Sequence, residues 1–166
     1  MDTYVDPIEC LLREHDEGMK HLAILENAAD YIKTHGFSVE AFNQIGESIR
    51  FIDAEIRRHN EKEEQYLFPL LERHLNGPSK VMRNEHRLLW GEFNRLQTCV
   101  HDIEEGRVRG SSITELIQLS KTIVDLLRNH IEKENKVLFP MAKQVLTDGE
   151  YETLREEMSK ATASVA

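Results

Sequence analysis

Cysteine is nearly absent: Cys10 and Cys99 are the only two, too few and too scattered for a disulfide framework or a cysteine-ligated zinc site. Both read as reduced, half-buried helix residues. No stretch approaches the roughly 18 consecutive apolar residues that mark a membrane span. The opening residues, Met1 to Pro7, lack the basic start and apolar run of a secretory signal, so a cytoplasmic location is expected. Positive charge is in deficit. The net charge is −9 and no basic patch offsets it, which excludes nucleic acid as an expected partner. Period-two alternation between turn signals is also missing, and with it any strand reading. No Ser, Cys or acid–base constellation suggests covalent catalysis.

What remains is helical. Apolar residues make up 40% and charged residues 31% of 166, which suits one domain, residues 1–166, around one core. Asp6-Pro7-Ile8-Glu9 combines an N-cap Asp, Pro at the first helical position and an acid at N3. The helix it starts runs to about His35 and stops at Gly36. Ser38 can cap a second helix, whose Ile45, Ile49, Ile52 and Ile56 form one apolar stripe. Pro69 should kink that helix or end it soon afterwards. Asn76-Gly77-Pro78 turns into a third helix ending near Gly106. Ser112-Ile113-Thr114-Glu115 has the capping-box pattern for a fourth, with Pro140 late in it. Thr147-Asp148-Gly149-Glu150 can start a short fifth. The expected architecture is all-α: an up-down-up-down antiparallel four-helix bundle over about 7–146, with a short C-terminal helix over about 148–160.

Eight histidines are many for this length, and their placement is ordered. The second half of the chain repeats the first at a spacing of 71 residues: His15 with His86, His59 with His130, and Glu63 with Glu134. The echo extends to Glu14 and Glu85, to Lys62 and Lys133, and to Leu67-Phe68-Pro69 and Leu138-Phe139-Pro140. His59 and Glu63 are spaced i,i+4, as are His130 and Glu134, so each pair lies on one helix face about 6 Å apart along the axis. Those faces are apolar. Ile52, Ile56 and Leu67 continue one, and Val124, Leu127 and Leu138 the other. His15 shares a stripe with Ile8, Leu11, Met19 and Leu22, and His86 with Met82, Leu89 and Phe93.

A lone His-x-x-x-Glu reads as a solvated ion pair; two in register on apolar stripes, each with a matching lone His, do not. Four imidazoles and two carboxylates in one core are costly without partners, and cations supply them. Each of two metals would receive two His nitrogens, with both carboxylates free to bridge. Positions would remain for a bridging oxide or water and an external ligand. Imidazole and carboxylate without thiolate favour iron or manganese, with zinc as an alternative.

The pattern His15, His59 with Glu63, His86, and His130 with Glu134, with Leu-Phe-Pro after each Glu, resembles the bacterial branch of the hemerythrin-like (HHE cation-binding) family over about residues 8–145. The resemblance implies a non-haem di-iron centre bridged by Glu63 and Glu134. Oxygen-carrying hemerythrins have a fifth His ligand from a His-x-x-x-His pair on the third helix; here Met82 and Trp90 flank His86 at four residues. Their second bridging acid is an Asp five residues after its His, whereas both acids here are Glu at four. The four-His, two-Glu set is similar to proteins that repair iron–sulfur centres and react with nitric oxide, which typically carry a small cysteine-containing N-terminal domain. Such a domain is not expected here.

Three functions follow. The site binds O2 or NO for sensing, storage or scavenging, with no fused signalling domain expected and sensing left to a separate protein partner; or it acts enzymatically on NO or peroxide or delivers iron to clusters; or it stores metal or stabilises the fold. Leu22, Ile56, Met82, Leu89 and Leu127 are expected to line the ligand pocket. His21 should face a neighbour or solvent, His35 the end of the first helix, and His74 and His101 the surface. Tyr66 is a candidate hydrogen-bond donor to a carboxylate, while Glu14, Glu85 and Glu61 to Glu64 (Glu63 apart) read as solvated.

Overall fold

A computed structural model describes residues 4–163. Among them are five helices and no strand: α1 (Pro7–His35), α2 (residues 39–71), α3 (Gly77–Glu104), α4 (residues 112–145) and α5 (Asp148–Ala163). None is long and apolar enough to cross a membrane. Asp6 caps α1 by accepting from the Ile8 and Glu9 amides, with Pro7 where no amide is needed. Ser38 caps α2 through the Ala41 amide. Gly36 and Gly106, at φ of 89° and 75°, occupy the left-handed region that ends a helix cheaply only at glycine.

The capping box forms one helix later than expected. Ser112 is buried at the start of α4, and its hydroxyl accepts from the Arg109 amide at 2.7 Å instead of capping. At α5 the box is complete: Thr147 Oγ1 accepts from the Glu150 amide, and Glu150 Oε1 accepts from the Thr147 amide. The fifth helix also runs three residues past its expected end at 160.

Proline neither breaks nor stops α2 and α4 at once. Each contains a π-helical segment directly before its Phe-Pro pair, Glu63–Leu67 in α2 and Glu134–Leu138 in α4. There the Phe68 amide donates to the Glu63 carbonyl and the Phe139 amide to the Glu134 carbonyl, five residues back. The wider turn accommodates a residue that lacks an amide and crowds the carbonyl four before it. A further π segment, Ile52–Ile56, occurs in α2 alone.

α1 packs against α2 and α4, and α3 against α4, while α5 lies on α1 and on the Glu63–Leu67 turn. The apolar interior falls into two clusters. One holds Leu22, Ile56, Leu89, Phe93 and Leu127; the other holds Ile8, Leu11, Leu67, Met82 and Leu138. On each of the first three helices the two clusters are separated by a buried histidine, and on α4 by buried Glu134, four residues after His130. Each fully buried aliphatic or aromatic side chain stabilises the fold by roughly 1.5–3 kcal/mol, so the helices are held firmly on both sides of that polar layer.

Candidate metal centre

The polar layer contains His15 from α1, His59 and Glu63 from α2, His86 from α3, and His130 and Glu134 from α4. All six are buried, and both glutamates are wholly inaccessible. The structure brings them into two overlapping groups. His15, His59, Glu63 and Glu134 offer ligand-type atoms within 4.8 Å of one another, and so do Glu63, His86, His130 and Glu134. Both carboxylates belong to both groups. The His15 and His59 rings lie 4.5 Å apart on one side, the His86 and His130 rings 4.7 Å apart on the other.

The Nε2 atoms converge. His130 Nε2 lies 2.7 Å and His15 Nε2 3.4 Å from Glu134 Oε1, while His59 Nε2 lies 3.3 Å and His86 Nε2 3.6 Å from Glu63 Oε1. His15 Nε2, His59 Nε2 and all four carboxylate oxygens lack hydrogen-bond partners. Such orphaned buried atoms need an explanation. Charge poses the same question. Burial and the neighbouring Glu134 push the Glu63 carboxyl well above its usual range. Burial also acts to raise Glu134, but His130 outweighs it and holds that carboxyl below the usual range. Burial tends to lower His130, yet Glu134 and Glu85 lift it to about 10. His86, buried beside His130, is pushed down to about 4. Two acids in one dry site conflict, and cations between them remove the conflict and satisfy the orphaned atoms. The donor set of nitrogen and oxygen, without sulfur, fits iron, manganese or zinc.

A family model for the hemerythrin HHE cation-binding domain matches residues 6–142. The chain belongs to that family. Two proteins similar to this chain are the iron–sulfur cluster repair protein YtfE of Yersinia pestis (strain Pestoides F) and that of Yersinia pseudotuberculosis (serotype O:1b, strain IP 31758). Each is 27% identical over 136 residues, covering 78% of this chain and 61% of its own length. The chain thus spans about three fifths of the curated relatives it matches.

Around the six-residue layer sits a ring of partners, three of which, Glu14, Glu85 and Glu64, were expected in solvent. Glu14 accepts two bonds of 2.7 Å from buried Lys62 and lies 3.4 Å from His59 Nδ1. Glu85 bonds Lys133 at 3.0 Å and lies 3.8 Å from His130 Nδ1. Glu64 accepts from His86 Nδ1 at 3.0 Å, and Asn135 Oδ1 from His15 Nδ1 at 2.6 Å. Acceptors at Nδ1 fix the tautomer that leaves Nε2 free for a metal and raise its basicity. The signal that could have revealed them was the repeat itself, which pairs Glu14 with Glu85, Lys62 with Lys133 and Glu64 with Asn135.

The Leu-Phe-Pro tags also acquire a purpose. Phe68 stacks on His86 with ring centroids 5.8 Å apart, and Phe139 on His15 at 5.2 Å, so each tag steadies a histidine of another helix. Tyr66 does not bond a carboxylate; it packs on the apolar cluster of Leu67 and Met82. His21 stacks on Phe51 at 3.8 Å. His35 is exposed against Tyr31, His101 is exposed, and His74 bonds Glu150 at 2.7 Å. Among the expected pocket residues, Leu22, Ile56, Leu89 and Leu127 share one cluster, whereas Met82 lies in the other. Cys10 and Cys99 are both free.

Proposed function

We propose that this chain is a hemerythrin-like di-iron protein that binds or reduces O2, NO or peroxide. His15, His59, His86 and His130 would hold two irons through Nε2, with Glu63 and Glu134 shared between them. The observation that carries this reading is the membership of both carboxylates in both groups of ligand-type atoms. Two overlapping groups that share both carboxylates in one buried site support two cations rather than one. The order in which each helix meets the two apolar clusters supports an up-down-up-down arrangement: α1 and α3 pass from the cluster of Leu11 and Met82 to that of Leu22 and Leu89, and α2 and α4 return. We take residues 4–163 as one domain on the same basis; the remaining residues of the expected domain, 1–3 and 164–166, lie outside the described residues.

Two irons so held supply redox chemistry toward small oxidising molecules. The chain's own contribution is positioning and exclusion. Glu64 and Asn135 fix the orientation of His86 and His15, Phe68 and Phe139 clamp the same rings, and the two apolar clusters keep bulk water from the Nε2 atoms. The second reading is iron donation in cluster repair, favoured by the 27% identity to proteins of that name over 78% of this chain.

The deciding experiment is metal content per chain, with an absorption spectrum recorded before and after reduction and re-exposure to O2 or NO. Two irons per chain are expected, with near-ultraviolet bands that bleach on reduction and return with oxidant. One redox-silent metal per chain, or none, overturns the proposal. Transfer of iron from the loaded protein to a cluster-depleted acceptor, without net consumption of NO, would move the conclusion to repair.

A further inference from the structure

Six pairs in and around the six-residue layer are matched at the 71-residue spacing by the same residue type. His15 and His86, His59 and His130, Glu63 and Glu134, Phe68 and Phe139, Glu14 and Glu85, and Lys62 and Lys133 all agree. Glu64 and Asn135, the pair that bonds histidine Nδ1 atoms of the layer, do not agree. His86 donates its Nδ1 proton to the Glu64 carboxylate at 3.0 Å, whereas His15 donates to the Asn135 amide oxygen at 2.6 Å. These are the two firm Nδ1 hydrogen bonds of the layer, since Glu14 and Glu85 stand off at 3.4 and 3.8 Å.

The difference has a direction. A carboxylate acceptor withdraws the Nδ1 proton more strongly than an amide does and so makes Nε2 the better donor to a metal. It also adds a negative charge near one ion and not the other. The Glu64 carboxylate has no ion pair with Lys or Arg among the described residues; it pairs with His86, while Arg83 donates to the Glu64 backbone carbonyl. On the other side the charges run the opposite way. Glu14, next to His59, is neutralised by Lys62, which is itself buried, while the counterpart Lys133 is 54% exposed and screened by solvent.

We propose that Glu64 and Asn135 are positioning residues that make the two metal positions unequal, the His86–His130 position holding its ion more tightly than the His15–His59 position. The inference rests on the two-metal reading above. In a protein that donates iron, the ion beside His15 and His59 is the one released first.

Zinc(II), diamagnetic and redox-silent, is the probe. The full chain, labelled with 15N in its histidine rings, is titrated with zinc from zero to two equivalents while the imidazole nitrogens are followed by NMR. Neighbouring hydrogen-bond partners change metal affinity by about 10–100-fold. The His86 and His130 signals are therefore expected to reach their bound positions within the first equivalent, and those of His15 and His59 in the second. Asn135→Glu should bring the two steps to within about twofold of each other, and Glu64→Gln should narrow the gap from the other side. All four histidines shifting in equal proportion from the first addition, or an unchanged order and gap in both folded variants, overturns the proposal. Should a variant fail to fold by circular dichroism, the wild-type order decides alone. Zinc uptake at other histidines, or no saturation at two equivalents, would instead overturn the two-metal reading.

Discussion

The two helical pairs, α1 with α2 and α3 with α4, build the same layer from different surroundings. At the layer they agree in ligand-type residues, in the stacked Phe and in the π turn before Pro. One helical turn away they part. Gly18 stands opposite Leu89 in the repeat, Met19 opposite Trp90, and Asn60 opposite Ile131. A side chain at Gly18 would place its Cβ 2.9 Å from Ile56 Cδ1, and Ile56 ends the π segment that only the first pair possesses. Leu89 by contrast is fully packed in the core. A cavity of about 450 Å³ reaches His86 beside Glu64 and Trp90, whereas the matching cavity of about 460 Å³ beside Asn135 and Met19 does not reach His15. The chemistry thus tolerates one arrangement at the layer and two arrangements around it.

The largest effect should come from breaking what the two pairs share. Glu63 and Glu134 serve both groups of ligand-type atoms, so under the proposed two-metal reading Glu63→Ala or Glu134→Ala is expected to remove most of the bound metal. His15→Ala removes a donor from one group alone and should leave the other ion in place. Removing one member of a buried charged set costs about 3–5 kcal/mol, or roughly 10 °C in melting temperature for a chain of this size. Metal analysis with thermal melting checks both expectations. Two metals retained in Glu63→Ala would contradict the sharing of that carboxylate. His74→Ala and His101→Ala lie outside the layer and should leave metal content unchanged.

Helix positions and the six-residue set were legible because both leave periodic traces: i,i+4 spacing on apolar stripes and a 71-residue echo. The partners at Nδ1 were not. Glu14 meets His59, and Asn135 meets His15, across 45 and 120 residues of sequence, and no local period reports which helices stand side by side. Glu64 looked like one charge in an exposed run until α3 was placed against it. The π turns were hidden for a different reason: one extra residue per turn leaves the apolar stripe of Ile52, Ile56 and Leu67 intact. Ser112 misled as a cap because the sequence does not reveal that its hydroxyl is claimed by the Arg109 amide.

A smaller effect sharpens the difference between the pairs. Leu89→Ala opens a cavity in the core and should cost about 2–5 kcal/mol. Gly18→Ala, at the matched position, adds a methyl against the mobile end of Ile56 while gaining helix propensity of about 1 kcal/mol. Its net effect should fall within about 1 kcal/mol of zero. Denaturant melts of the two variants test the contrast, and equal losses would mean that the pairs pack alike after all.

The smallest effect concerns α5, which docks on α1 and on the Glu63–Leu67 turn of the first pair. Leu154 and Met158 are its buried side chains, and Glu150 fastens its start. The Thr147 amide and the His74 ring hold the Glu150 carboxyl down at about 2, and Arg73 lies 3.7 Å away. A carboxyl lowered in the folded state stabilises at pH values above its ordinary range, near 4.5, and that contribution fades as the pH falls toward 2. The second pair has Val145 where the first has His74, and so offers no such clasp. Amide exchange in Leu154 to Met158, corrected for intrinsic rates and referenced to the middle of α3, should quicken across that window. Glu150→Gln should show the faster exchange already at neutral pH and lose the dependence. If the wild type and Glu150→Gln respond to acid alike, the hold on α5 comes from Leu154 and Met158 packing alone, and the carboxylate is a passenger.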